Sequence, residues 1–75
     1  MYLKYKIYRI YAEIEGKGWI REGDNTNKGK AIKDACEYFA FRKGKATIHV
    51  IKATGEWRNY EEQEEVYTKK AEKAN

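Results

Sequence analysis

From Tyr2 to Glu15 apolar and polar residues alternate: Leu3, Tyr5 and Ile7 stand opposite Lys4 and Lys6. A period of two is the spacing of a strand with one face on a core. After Ile7 the parity inverts, so that Tyr8, Ile10, Ala12 and Ile14 share a face opposite Arg9, Glu13 and Glu15. Such an inversion predicts a bulge near Ile7–Tyr8, the alternative being tyrosine on both faces blurring the pattern. Glu15-Gly16-Lys17-Gly18 predicts a hairpin turn, Trp19–Glu22 the return strand, and Gly23–Asn27 a polar loop.

The period then lengthens. Ala31, Ile32, Ala35, Cys36, Phe39 and Ala40 recur at three- and four-residue spacing, an apolar stripe on a helix running from Lys28 to Lys43. Asn27 is placed to cap it, and Lys43-Gly44 to end it with a cation at the negative dipole end and a glycine for the left-handed cap. Ala46–Lys52 predicts a strand through Ile48, Val50 and Ile51, Ala53–Glu56 a turn, and Trp57–Tyr60 a strand pairing back. Beyond Glu61 the order Glu-Glu-Gln-Glu-Glu, then Val66-Tyr67, then lysines suits a short helix, with Glu65 and Lys69 four residues apart.

Two hairpins flanking one helix give an α+β fold: a four-stranded, mainly antiparallel sheet with the helix packed on one face, plus a short C-terminal helix. The chain divides into a single strand-strand-helix-strand-strand domain over 1–60 and a charged helical extension over 61–75.

Composition narrows this picture. Leu, Ile, Val and Phe are only 12 of 75 residues, a level at which disorder competes. Seven Tyr, two Trp and a net charge of only +4 tip the balance to an aromatic-rich folded domain. Cys36 is the single cysteine, which excludes an intrachain disulfide framework and a multi-cysteine metal site. No apolar run approaches the roughly 18 residues of a membrane span. Met1–Glu15 is charged throughout and lacks a signal-peptide apolar region. A cytoplasmic location with no membrane contact is the expectation.

The Gly18-Trp19 pair opening the second strand, Asn27 as cap, Ala31-Ile32 with Ala35 on one helix face, and Gly55 in the late hairpin resemble small uncharacterised bacterial strand-strand-helix-strand-strand domains. The likeness covers about residues 5–60. The long Tyr/Lys-rich first strand and the charged C-terminal segment depart from that pattern. Its motifs are fold determinants, and the resemblance implies no activity. In size and Tyr/Lys/Glu-rich texture the chain is also similar to small accessory proteins of bacteriophages.

Candidate chemistry is sparse. His49 is the only histidine, and a nucleophilic pair with Cys36 would need an orienting third group that nothing marks. Cys36 on an apolar stripe more commonly behaves as a small hydrophobe. Together they supply two of the four ligands of a zinc site. Glu61, Glu62, Glu64 and Glu65 lack the glycine turn and ligand spacing of a calcium loop, and Gly16-Lys17-Gly18 is not a phosphate loop. The expectation is a non-enzymatic protein with no metal and no cofactor.

What remains is surface. With Ile10, Ala12, Ile14, Ile48 and Val50 against the helix, Arg9, Tyr11, His49 and Ile51 lie on the opposite face. Either Arg58 with Tyr60, or Trp57, joins them. Aromatics beside cations fit a protein-binding patch, and the leading reading is an inhibitor or adaptor, of phage type, acting on a host protein. The runner-up is a basic domain that stacks bases and pairs phosphates of single-stranded or duplex nucleic acid. Against it stand the small charge excess and Glu13, Glu15 and the acidic run over 61–65. A purely structural role, or a homodimer, completes the alternatives.

Overall fold

The computed structural model describes residues 5–56 and 59–72. The elements run β1 (Tyr5–Ile14), β2 (Gly18–Asn25), α1 (Lys28–Phe41), β3 (Thr47–Glu56) and β4 (Asn59–Lys69). All neighbours are antiparallel, in the order β2-β1-β3-β4. The helix therefore carries the chain from one outer strand, past β1, to β3. It packs on one face of the sheet, giving the α+β two-layer arrangement expected from the sequence.

Tyr8, Ile10 and Ala12 of β1 and Ile48 and Val50 of β3 meet Ala31, Ala35 and Phe39 of α1 in one buried cluster. The helix ends at Phe41 rather than Lys43, and its buried stripe leans toward Tyr38. Ile32 and Cys36 are partly covered, and Ala40 is exposed. Asn27 caps it as expected, its side-chain oxygen accepting from the Lys30 amide at 3.0 Å. At the other end the Gly44 amide donates to the Phe39 carbonyl at 3.1 Å and the Lys43 amide to Ala40 at 2.9 Å. These are the paired bonds of a Schellman cap. The first left-handed position is thus Lys43 (φ 56°), one residue before the glycine.

Three expectations are corrected. β1 pairs with β3 residue for residue from Tyr5 to Glu13, so it has no bulge at Ile7–Tyr8. The parity inversion arises because Ile7 lies on the outer face opposite Ala53, itself fully buried. The bulge sits instead in β2, where Glu22 is the extra residue between the Tyr11–Arg21 and Ile10–Gly23 pairs. β2 also extends through the predicted loop to Asn25, and β3 through the predicted turn to Glu56.

The third correction concerns the C-terminal segment. Residues 59–69 form strand β4 and not a helix, so the sheet continues well past residue 60. Glu65 and Lys69 suit a helix locally, but an isolated helix this short is marginal in water. The free edge of β3 offers backbone hydrogen bonds, and Val66 and Tyr67 pack against the core. After the strand, the Glu72 amide donates to the Gly44 carbonyl at 2.8 Å and the Ala71 amide to the Thr47 hydroxyl at 3.0 Å. The predicted strand residues Tyr2–Lys4 lie outside the described residues. Among the described residues no helix is long and apolar enough to cross a membrane.

Candidate functional site: the outer sheet face

Register assigns this face. Cross-strand partners share a side of the sheet, so Ile7, Arg9, Tyr11 and Glu13 of β1 line up with Ala53, Ile51, His49 and Thr47 of β3. On the flanking strand Trp19 stands opposite Glu13 and Arg21 opposite Tyr11. β4 contributes through two irregularities, at Gln63 and at Val66, each leaving one residue unpaired. The first of these bulges lets Glu62 and Glu65, three apart in sequence, emerge on the same side.

His49 is the centre. Although it projects away from the helix, it is only 8% exposed. Its Nε2 lies 2.8 Å from a Glu13 oxygen, and its Nδ1 meets Glu65. A neutral ring offers one N–H, so both contacts are hydrogen bonds only when the ring carries both protons. The Trp19 indole stacks on the imidazole with centroids 4.0 Å apart and planes 13° from parallel. Tyr11 flanks the indole at 5.8 Å, tilted by 55°.

Beside this cluster Glu62 accepts from the Tyr11 hydroxyl and from Arg9 Nη1, the latter at 3.2 Å. The Tyr11 hydrogen bond, with Arg9 adding to it, holds the Glu62 carboxyl below the usual carboxylate range, and burial together with Glu62 pushes the Tyr11 phenol up. Glu65 is likewise lowered, first by its hydrogen bond with Thr68 and then by His49. The Arg9 guanidinium also lies over the Tyr60 ring at 5.7 Å, and Arg21 bonds Asp24 at 2.8 Å.

Of the residues marked from sequence, Arg9, Tyr11, His49, Ile51 and Tyr60 come together on one face. Trp57 and Arg58 lie outside the described residues. Sequence reasoning missed Trp19, Glu13, Glu62 and Glu65. Trp19 carried a signal, being one position from the Gly16–Gly18 turn and so opposite Glu13 in a tight hairpin. The face is also less bare and less basic than expected. His49 and Ala53 are covered, and four carboxylates (Glu13, Glu62, Glu65, Asp24) surround two guanidiniums.

The sheet separates the only thiol from the only imidazole. Cys36, on α1, lies 3.4 Å from the Tyr67 hydroxyl, an arrangement that raises the Tyr67 phenol, while His49 faces the opposite side. Among the described residues no group of three or more His, Cys, Asp or Glu side chains is placed to hold a metal ion. What the face can do chemically is present a fixed aromatic surface bordered by charges that already have partners. No family model matches the chain, and neither does any curated protein or solved structure.

Proposed function

We propose that the chain is a non-enzymatic protein-binding module whose contact surface is the Trp19 end of the outer sheet face. It acts by occupying a partner's surface, as an inhibitor or adaptor does. The observation that carries this is the state of Trp19: 50% exposed, yet fixed by its stack on His49. An exposed indole that is already immobile loses little side-chain freedom on binding, and tryptophan is enriched among residues that dominate binding energy.

A protein partner is favoured over nucleic acid by the charges. Arg9 and Arg21 are paired with Glu62 and Asp24, and phosphates brought to this face would meet four carboxylates. Phosphate binding requires unpaired cations that displace the counterions condensed on the nucleic acid.

A photo-crosslinking residue at position 19 tests the reading, with position 28 at the start of the helix, exposed and far from Phe41, as control. Adducts of discrete mass from position 19 alone are expected. Equal labelling from both positions, or none from 19, would refute it. Retardation of oligonucleotides at about 50 mM salt, with affinity falling steeply as salt rises, would favour the runner-up instead.

A further inference from the structure

Phe41, the last residue of α1, is 82% exposed, and its ring stands between two shallow hollows. One, of about 310 Å³, is lined by Tyr38, Glu22 and Glu37. The other, of about 270 Å³, is bordered by Arg42 and Lys45. Ile20, opposite the core residue Ala12 and 40% exposed, lies on this same side of the sheet. An apolar knob, a hollow roomy enough to receive a ring beside it, and charge of opposite sign on its two flanks therefore occupy one continuous surface.

We propose that this surface is a two-fold interface between two copies of the chain. Phe41 of each copy seats beside Tyr38 of the other. Knob and hollow are neighbours, so one rotation satisfies both at once and the assembly closes, whereas a distant hollow would propagate it. The same rotation exchanges the flanks, bringing the basic side of one copy over the acidic side of the other. Glu22 is already joined to Arg42 within the chain. Glu37 and Lys45, both exposed, form the pair that crosses. An interface built on one ring and one ion pair per copy is small and belongs with weak, transient contacts, so association is sought at dissociation constants on the order of 10–100 μM.

Sedimentation of the whole chain from about 5 to 500 μM brackets that constant. Wild-type protein shifts from monomer to dimer across the range, and Phe41→Asp stays monomeric with unchanged circular dichroism. Glu37→Lys and Lys45→Glu each weaken association about tenfold, since attraction becomes repulsion at two symmetric places. Both changes in one chain rebuild the pair with signs exchanged and restore affinity to within about threefold. A wild-type monomer throughout, a dimer that survives Phe41→Asp, or a double variant no tighter than the single ones would overturn the proposal. The crosslinking pattern from position 19 is read on the opposite sheet face and fails or succeeds independently.

Discussion

The two phenylalanines of α1 stand two residues apart and differ almost completely in environment: Phe39 is 7% exposed and Phe41 82%. Truncating a buried phenylalanine to alanine costs about 3–5 kcal/mol, the range reflecting how far the site collapses. Collapse is limited at Phe39, which shares the buried cluster with Ala35 one turn earlier and with Ile and Val side chains of the sheet. Lys69 adds to the cost, its ammonium lying 4.6 Å from the ring centroid, a contact of about 0.5–1 kcal/mol at an exposed site. We therefore expect Phe39→Ala to lose about 4 kcal/mol, out of a total of about 4–11 kcal/mol for a domain of this size. Phe41→Ala should stay within about 0.5 kcal/mol of the parent. Urea denaturation followed by far-ultraviolet circular dichroism at about 2 μM, below the dimerisation range, measures both. With a slope of about 1 kcal/mol per molar, Phe39→Ala loses several molar in midpoint or lacks a folded baseline. Equal losses at the two positions, or the larger loss at Phe41, would show that the helix is rotated from the face assigned to it.

Three further outcomes follow from local geometry. Glu62 and Glu65 are held below their ordinary 4.5, so their contribution is present above that value and lost as pH falls through the folded-state values. Tyr11 and Tyr67 are raised above 10.0, so theirs is present below pH 10 and lost as pH rises through the folded-state values. Stability should be greatest between these limits, and Tyr11→Phe should flatten the acid limb by removing the main hydrogen bond on Glu62; an unchanged limb in thermal melts against pH would contradict this. Gly55→Ala would set a Cβ 2.1 Å from the Asn59 carbonyl oxygen and should cost about 2–3 kcal/mol by chemical denaturation, a neutral result showing that the β3–β4 hairpin approaches less closely. Lys43→Gly relieves a left-handed non-glycine residue, a gain of about 1–2 kcal/mol set against about 0.5–1 kcal/mol of added chain entropy. A net rise in melting temperature is expected, and a fall would place the helix end elsewhere.

Where the apolar period was clean, the sequence was readable. Ala31, Ala35 and Phe39 on the helix, the Asn27 cap, and Ile10, Ala12, Ile48 and Val50 on the sheet follow from local spacing, and with them the opposite placement of Arg9, Tyr11 and His49. The last strand was not readable, because its two bulges destroy the alternation that marks a strand. Glu61 to Glu65 then looks like a solvated helix start. Its glutamates are specified by groups far away in the chain: Arg9 and Tyr11 for Glu62, His49 for Glu65. Trp19 was missed for a related reason, since its stack on His49 depends on two ladders being in register at once.

The placement of those glutamates has a consequence for the chain in bulk. β4 is an outermost strand, and a long one in a protein rich in Tyr and Ile is a template on which further molecules add, the route to fibrils. Here that border carries Glu61, Glu62, Glu64 and Glu65 and two breaks in pairing, so an incoming copy in the same register would stack like charges on a ribbon that does not lie flat. At the opposite border Glu22 bulges out of β2. Neutralising the β4 carboxylates, by acid or by substitution with glutamine, removes that protection and should let the chain grow filaments.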